Sequence, residues 1–264
     1  MDKNFINTDF INKERLKEAL PIRFILPNIV TLCSLCCGVT AMKAAVSGNW
    51  NMAGFLIFIA AIFDGLDGRV ARLMNGSSKF GAELDSLSDF ISFGVSPAFV
   101  MYFYALKDYP KFGWMLALLL AICCALRLAR FNTMLEVKHK PYWDYFFTGI
   151  PAPAGAMVAI FPLSLSLCDG SVALFHNFWF SAFMVFFSAV FMASRVPTIC
   201  LKKIKIKTSL IPLVLIATMI YVGLMFVDFW MAISFATICY LILMPVVVVM
   251  FTKMKSKYEE QHKE

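Results

Sequence analysis

The chain has 264 residues, of which 60% are apolar and 16% charged, and its mean hydropathy is +0.75. This composition excludes an ordinary soluble domain and predicts an integral membrane protein. The net charge of +7 is not arranged as a basic surface with interleaved aromatic side chains, so the sequence argues against nucleic-acid binding and for attraction to anionic lipid.

The predicted elements begin with a polar cytoplasmic segment at 1–25, in which an amphipathic interfacial helix is expected over 12–25. Apolar stretches of about 20 residues, the length needed to cross a bilayer, then follow in series. Eight spans are predicted, at 26–46, 51–72, 81–106, 113–133, 150–168, 175–195, 208–227 and 229–252. The expected fold is an all-α, polytopic transmembrane bundle, with one membrane domain at 26–252 and a cytoplasmic tail at 253–264.

The distribution of basic residues predicts the orientation of the bundle. If the N-terminus is cytoplasmic, 21 of the 24 Lys and Arg residues fall in cytoplasmic segments, and Lys43, Lys107 and Lys111 do not. Cytoplasmic loops are enriched in basic residues, so this asymmetry predicts that both termini lie in the cytoplasm.

Four aspartates interrupt the apolar pattern around the second and third predicted spans. Asp64 and Asp67 are three residues apart, and Asp85 and Asp89 are four apart, so each pair occupies one face of a helix. One aspartate at a helix end can be a simple interfacial anchor. Four on two convergent faces would each cost about 3 kcal/mol in an apolar slab, and one or two divalent cations are the usual compensation.

Small residues and one arginine accompany the carboxylates. Gly68, Ala71 and Gly81 leave room for a phosphorylated ligand to approach the backbone. Arg72 adds a cation with the bidentate geometry that suits phosphate. The eight cysteines lack the spacing of a zinc site and are expected to be packing residues.

These residues together resemble a family motif, D-x2-D-G-x2-A-R-x8-G-x3-D-x3-D, which is that of the CDP-alcohol phosphatidyltransferases. All eight specified positions match: Asp64, Asp67, Gly68, Ala71, Arg72, Gly81, Asp85 and Asp89. The resemblance implies a helical membrane enzyme, usually a homodimer, with two divalent ions per active site, Mg or Mn. Such an enzyme transfers a substituted phosphoryl group from a CDP-linked donor to an alcohol and releases CMP.

Four further segments are similar to the bacterial membrane-embedded phosphatidylserine synthases. They are LPNIVTL at 26–32, SFGVSPA at 92–98, RLARFN at 127–132 and FTGIPAPAG at 147–155. This resemblance implies CDP-diacylglycerol and L-serine as substrates, and a multi-pass protein of the bacterial inner membrane whose active site faces the cytoplasm.

The resemblance also implies a role for each site residue. Asp64, Asp67 and Asp85 would hold one ion, and Asp64, Asp85 and Asp89 a second, with Asp89 as general base. The CDP-diacylglycerol contacts would be Pro27, Asn28, Gly68, Ala71, Arg72, Ser78 and Gly81. The serine or phosphate contacts would be Arg127, Arg130, Asn132 and Ser92.

Other interpretations stay open at this point. Another enzyme of the same family could make phosphatidylglycerol phosphate or an inositol phospholipid. An ion-coupled transporter also carries intramembrane acids, but usually near the midplane of repeated helices. Arg127 and Arg130, taken singly, could equally be helix-end arginines that extend to the membrane surface.

Overall fold

The computed structural model describes residues 22–74, 76, 78–134, 146–169, 176–199 and 211–261, and they are predominantly helical. The helices are α1 (Ile22–Val46), α2 (Trp50–Leu73), α3 (Lys79–Asp89), α4 (Ser96–Tyr104), α5 (Pro110–Met134), α6 (Ala152–Ala159), α7 (Phe161–Asp169), α8 (Phe178–Ala193), α9 (Ile211–Val227) and α10 (Phe229–Gln261). Most of the predicted interfacial helix at 12–25 lies outside the described residues. The predicted tail continues α10 as far as Gln261.

Within the described residues, four segments are long and apolar enough to cross a membrane: Ile25–Val46, Lys79–Tyr104, Pro110–Thr133 and Phe229–Met254. The protein is therefore membrane-embedded and helical, as predicted. The other predicted spans correspond to α2, to α6 with α7, to α8 and to α9. The count of eight spans and the cytoplasmic termini stay predictions.

Prolines divide two of the predicted spans into shorter helices. Pro162 has no N–H and its ring would clash with the carbonyl group of Val158, so the span predicted at 150–168 breaks between α6 and α7. Between α3 and α4 the chain forms a π-helical turn at Phe90–Val95, in which the Ser96 N–H donates to the Ile91 carbonyl oxygen. This wider turn precedes Pro97 and follows Asp89 directly.

Helix α1 packs against both α2 and α3–α4 through a ladder of serine hydroxyl groups. Ser88 donates to the Thr31 carbonyl oxygen at 3.1 Å, Ser92 to that of Ser34 at 3.2 Å, and Ser96 to that of Gly38 at 2.8 Å. On the α2 side, the Ser34 hydroxyl donates to the Ala60 carbonyl oxygen at 3.0 Å. Buried serines and small residues let helix backbones approach closely inside a membrane, and here they fix the two aspartate-bearing helices relative to α1.

Two three-residue strands are the exception to the helical fold. β1 (Phe146–Thr148) pairs antiparallel with β2 (Pro197–Ile199). The Thr198 hydroxyl donates to the Gly149 carbonyl oxygen at 2.7 Å, and Gly149 adopts φ +77°, which favours glycine. The strand pair thus connects the start of α6 to the chain that follows α8.

The close approach of α1 to the π-helical turn predicts a strong effect of Gly38→Ala. A Cβ atom at Gly38 would lie 2.8 Å from the Ser92 Cα atom, so one of the two backbones must move. We expect a loss of about 1–3 kcal/mol in the free energy of unfolding, seen as a lower midpoint when purified protein in detergent is heated.

Gly223→Ala is the matched control, because a Cβ atom at Gly223 in α9 meets nothing within 4 Å. Its midpoint should equal or exceed that of the wild type, since alanine favours a helix more than glycine does. A Gly38→Ala protein as stable as the wild type would show that the α1 contact is not close-packed.

Candidate active site

The four aspartates converge because α2 and α3 are consecutive helices joined by a tight turn. The Gly76 N–H donates to the Ala71 carbonyl oxygen at 2.9 Å and closes the end of α2. The Ser78 hydroxyl oxygen then accepts from the Gly81 N–H at 2.9 Å and caps the start of α3. The turn therefore brings the C-terminal end of α2 next to the N-terminal half of α3.

Carboxylate oxygens of Asp64, Asp67 and Asp85 all lie within 4.8 Å of one another. At that separation two full charges repel by about 3 kcal/mol for an effective dielectric constant of 20. Carboxylates only accept hydrogen bonds, so they cannot satisfy each other when ionised. The cluster therefore needs a bound cation or a shared proton among its oxygens.

The donor set fits a hard divalent cation. Asp85 Oδ1 is buried and has no hydrogen-bond partner among the described residues, so it has an oxygen lone pair free for a ligand. Oxygen ligands of this type are those that Mg²⁺ and Mn²⁺ prefer. The three aspartates can accordingly hold a metal ion.

Asp89 lies beside this cluster, on the side of Arg127. Its carboxyl group is a hydrogen-bonding neighbour of the Asp64 carboxyl group, and the Arg127 guanidinium interacts electrostatically with both. Arg127 Nε is buried and has no hydrogen-bond partner in the described part of the chain. The structure thus brings Arg127 to the aspartates, with an unused N–H donor.

A pocket of about 150 Å³ opens directly onto Asp67 and Asp85. Six of the seven residues predicted to contact the CDP-linked donor line it: Pro27, Asn28, Gly68, Ala71, Ser78 and Gly81. Arg72 is exposed and is not among the lining residues. The pocket and the carboxylate cluster are therefore parts of one site.

The two motif glycines serve this pocket in different ways. A Cβ atom at Gly68 would meet nothing within 4 Å, so the space in front of Gly68 belongs to the pocket. A Cβ atom at Gly81 would lie 3.0 Å from Asn28 Oδ1 and 3.1 Å from Ser78 Oγ. The absence of a side chain at Gly81 therefore lets Asn28 and Ser78 pack closely at the edge of the pocket.

Thr31 is a site residue that the sequence interpretation missed. Its hydroxyl group lies 2.8 Å from Asp67 Oδ2, to which it donates, and the residue also lines the pocket. Thr31 is four residues after Pro27, so the helical spacing of two pocket residues on one face of α1 was the available signal. Gly76 and Ala82 also line the pocket and were not predicted.

The remaining predicted contacts lie at helix–helix interfaces. Arg130 Nη1 donates to the Ser194 carbonyl oxygen at 3.2 Å, which joins α5 to the end of α8. Asn132 Nδ2 donates to Ser86 Oγ at 3.0 Å, which joins α5 to α3. Ser92 is fully buried in the serine ladder. Of the four predicted serine or phosphate contacts, Arg127 is the one whose charge faces the aspartates.

The fold and the site together define a class of protein. It is a helical membrane protein with a carboxylate cluster beside a pocket lined by small residues. The family model for CDP-alcohol phosphatidyltransferase matches residues 24–194. The chain therefore belongs to the CDP-alcohol phosphatidyltransferase family, and the predicted family is confirmed.

Several curated relatives carry the name CDP-diacylglycerol--serine O-phosphatidyltransferase. The protein of that name from Mycobacterium tuberculosis (strain H37Rv) is 42% identical over 188 residues, which cover 71% of this chain and 65% of the relative. The one from Helicobacter pylori (strain 26695) is 36% identical over 244 residues, covering 88% of this chain and 97% of the relative. The alignments with the mycobacterial relatives thus span less than two thirds of those proteins.

The open space at Gly68 predicts a specific effect of Gly68→Ala on ligand binding. The added methyl group would enter the pocket without touching the protein, so folding should be unchanged. If the pocket holds the nucleotide, the affinity for CDP should fall about tenfold, which corresponds to 1.4 kcal/mol.

Gly65→Ala provides the control within the same helix. A Cβ atom there also meets nothing within 4 Å, but Gly65 does not line the pocket. Isothermal titration with CDP should therefore give the wild-type dissociation constant for Gly65→Ala. Equal affinity of all three proteins would place the nucleotide elsewhere.

Proposed function

We propose that this protein transfers the phosphatidyl group of CDP-diacylglycerol to the hydroxyl group of L-serine, giving phosphatidylserine and CMP. The observation that carries the proposal is the Asp64, Asp67 and Asp85 cluster at the mouth of the small-residue pocket. Relatives named for this reaction, one of which is covered over 97% of its length, support serine as the acceptor. Family membership and the absence of any visible sequence repeat weigh against an ion-coupled transporter.

In this proposal Asp64, Asp67 and Asp85 would hold one divalent ion, Mg²⁺ or Mn²⁺, and Asp64, Asp85 and Asp89 would hold a second. Bound ions of this kind offset charge on the phosphoryl groups and on the departing oxygen. Thr31 orients the Asp67 carboxylate through its hydrogen bond and leaves the second oxygen of Asp67 for the cluster.

The nucleotide half of the donor occupies the pocket against Gly68, Ala71 and Gly81, with Pro27, Asn28 and Ser78 around it. Arg72, which is exposed at the end of α2, is assigned to a phosphate group of the CDP-linked donor by resemblance to the family. The diacylglycerol half stays in the bilayer, so the lipid never has to leave the membrane.

Asp89 is assigned as the general base. It lies next to Asp64 on the side of Arg127. In this proposal the serine hydroxyl group binds between Asp89 and the lipid-side phosphorus. As the bond from serine oxygen to phosphorus forms, the bond from phosphorus to the CMP oxygen breaks. The serine proton goes to Asp89.

Arg127 is assigned to the serine carboxylate or the lipid phosphate, because its buried Nε–H has no partner in the described residues and its charge faces Asp64 and Asp89. Arg130, Asn132 and Ser92 shape the acceptor side through their helix contacts. We further propose eight spans, an inner-membrane location, an active site facing the cytoplasm and a homodimer.

The decisive experiment measures CMP release from CDP-diacylglycerol by purified protein, with L-serine, glycerol 3-phosphate and inositol supplied in parallel. Serine should support the fastest release. EDTA should abolish it, and Mg²⁺ or Mn²⁺ should restore it, because the carboxylates cannot bind phosphates without a cation.

Two results would contradict different parts of this proposal. Faster release with glycerol 3-phosphate or inositol would overturn the serine assignment and leave the family reaction. Undiminished release after EDTA treatment would overturn the role of the metal.

A further inference from the structure

A second cavity, of about 220 Å³, lies between α2, α6, α9 and α10. Its lining is mostly apolar and includes Phe58, Ala154, Val158, Ile233 and Ala236. Apolar cavities of roughly 150 Å³ stay dry and accept apolar ligands such as benzene. This larger cavity therefore has room for a segment of alkyl chain.

The cavity lies near the carboxylate cluster, because both include residues of α2. Phe58 precedes Asp64 by six residues of the same helix, which is about 9 Å along the helix axis. Ala154 and Val158 lie in the first and the last turn of the short helix α6, which follows β1 of the strand pair. An apolar chain in the cavity would thus extend from the reacting centre into the hydrocarbon region.

Three hydroxyl groups interrupt this lining, those of Tyr221, Thr237 and Tyr240. The Thr237 hydroxyl donates to the Ile233 carbonyl oxygen, whereas the buried Tyr240 hydroxyl has no hydrogen-bond partner in the described residues. Tyr240 Oη is buried without a hydrogen bond, as is Arg127 Nε. The two side chains interact electrostatically, and Arg127 in turn interacts with Asp64 and Asp89. Tyr240 therefore lies on the Arg127 side of the site, with a hydroxyl group whose burial costs free energy until it finds an acceptor.

Among the substrate groups of the proposed reaction, an acyl chain fits this cavity and the others do not. Serine is a zwitterion, and burying its charges among Phe58, Val158 and Ile233 would be unfavourable. The nucleotide is also polar and has its own pocket. An ester-linked acyl chain combines a long apolar part with a single carbonyl acceptor, as the cavity and Tyr240 require.

We propose that the cavity receives one acyl chain of the diacylglycerol donor and that Tyr240 Oη donates a hydrogen bond to the ester carbonyl oxygen of that chain. This inference rests on the proposed function for the identity of the donor. Tyr240 belongs to α10, outside the residues 24–194 that the family model matches, so it would be a specificity-determining residue that the last helix adds.

The hydrogen bond would set the position of the lipid more than its affinity for the membrane. An acyl chain that leaves the bilayer for an apolar cavity gains little hydrophobic free energy, because lipid tails are as apolar as the cavity wall. The ester carbonyl is a fixed number of covalent bonds from the reacting phosphorus. Holding the carbonyl therefore aligns the phosphorus with the aspartates.

Ester and ether donors distinguish this role from simple packing. We would measure the affinity of purified protein, in Mg²⁺, for CDP-diacylglycerol and for CDP-dialkylglycerol of equal chain length, which lacks the carbonyl oxygens. The wild type should bind the diacyl donor about fivefold more tightly, the scale of one neutral hydrogen bond. Tyr240→Phe should remove this preference by weakening binding of the diacyl donor alone.

Tyr102→Phe on α4 is the matched control, since Tyr102 contacts Phe103 and Trp114 away from the cavity, and it should keep the wild-type preference. Equal weakening of both donors by Tyr240→Phe, or no weakening, would overturn the proposal. These affinities need no acceptor. Wild-type protein that binds both donors as expected but transfers nothing to serine would contradict the proposed function and leave the acyl site supported.

Ala236→Phe tests the cavity itself with a second readout. The larger side chain should reduce the affinity for a dioleoyl donor at least fivefold more than for a dihexanoyl donor, because the shorter chain needs less of the cavity. Equal loss for both chain lengths would show that the alkyl chain does not occupy this space.

Discussion

The mutual repulsion of carboxylates at the ends of two apolar helices is the constraint on which the rest of the structure depends. Asp64, Asp67 and Asp85 are held within 4.8 Å of one another, an arrangement that separated helices would relax. Helix α1 prevents this relaxation. Its Thr31 hydroxyl donates to Asp67, and its backbone carbonyl groups accept the serine ladder of α3–α4. Hydroxyl hydrogen bonds and close backbone packing thus hold the aspartate-bearing helices together against this repulsion.

The pairing of the aspartates was predictable, because helical spacing alone places Asp64 on one face with Asp67, and Asp85 on one face with Asp89. The pocket was predictable for the same reason, since Gly68, Ala71 and Gly81 share faces with those carboxylates. Contacts between distant segments were not predictable from spacing. Arg130 and Asn132 belong to a polar segment that was predicted to bind substrate. Their side chains instead donate hydrogen bonds to Ser194, at the end of α8, and to Ser86 of α3.

Helix irregularities were the other limit of sequence interpretation. The run at 150–168 contains no charged residue, and the position of Pro162 marks the break between α6 and α7. The π-helical turn after Asp89 has a similar cause in Pro97. Ser92 lies in that turn, and its hydroxyl group donates to the Ser34 carbonyl oxygen of α1, although the family resemblance implied a contact with serine or phosphate.

The site divides the proposed donor between two environments. In the proposed function the pocket at Gly68 receives the nucleotide half, and the cavity at Tyr240 receives an alkyl chain, with the aspartates and Arg127 between them. The reacting phosphorus is joined to both halves of the donor and is thereby positioned from both sides. Such positioning makes the displacement reaction effectively unimolecular. Since the lipid half stays among helices, the reaction can take place at the membrane surface.

Direct measurement of Mn²⁺ binding, by electron paramagnetic resonance of purified protein, tests most directly whether the carboxylate cluster is a cation site. Asp85→Asn removes one of the three clustered carboxylates, whereas Glu83→Gln removes an exposed carboxylate from the same helix. Asp85→Asn should weaken Mn²⁺ binding at least about tenfold, or 1.4 kcal/mol, and Glu83→Gln should bind as the wild type does. Equal Mn²⁺ affinity of Asp85→Asn and the wild type would contradict the assignment of a metal to this cluster.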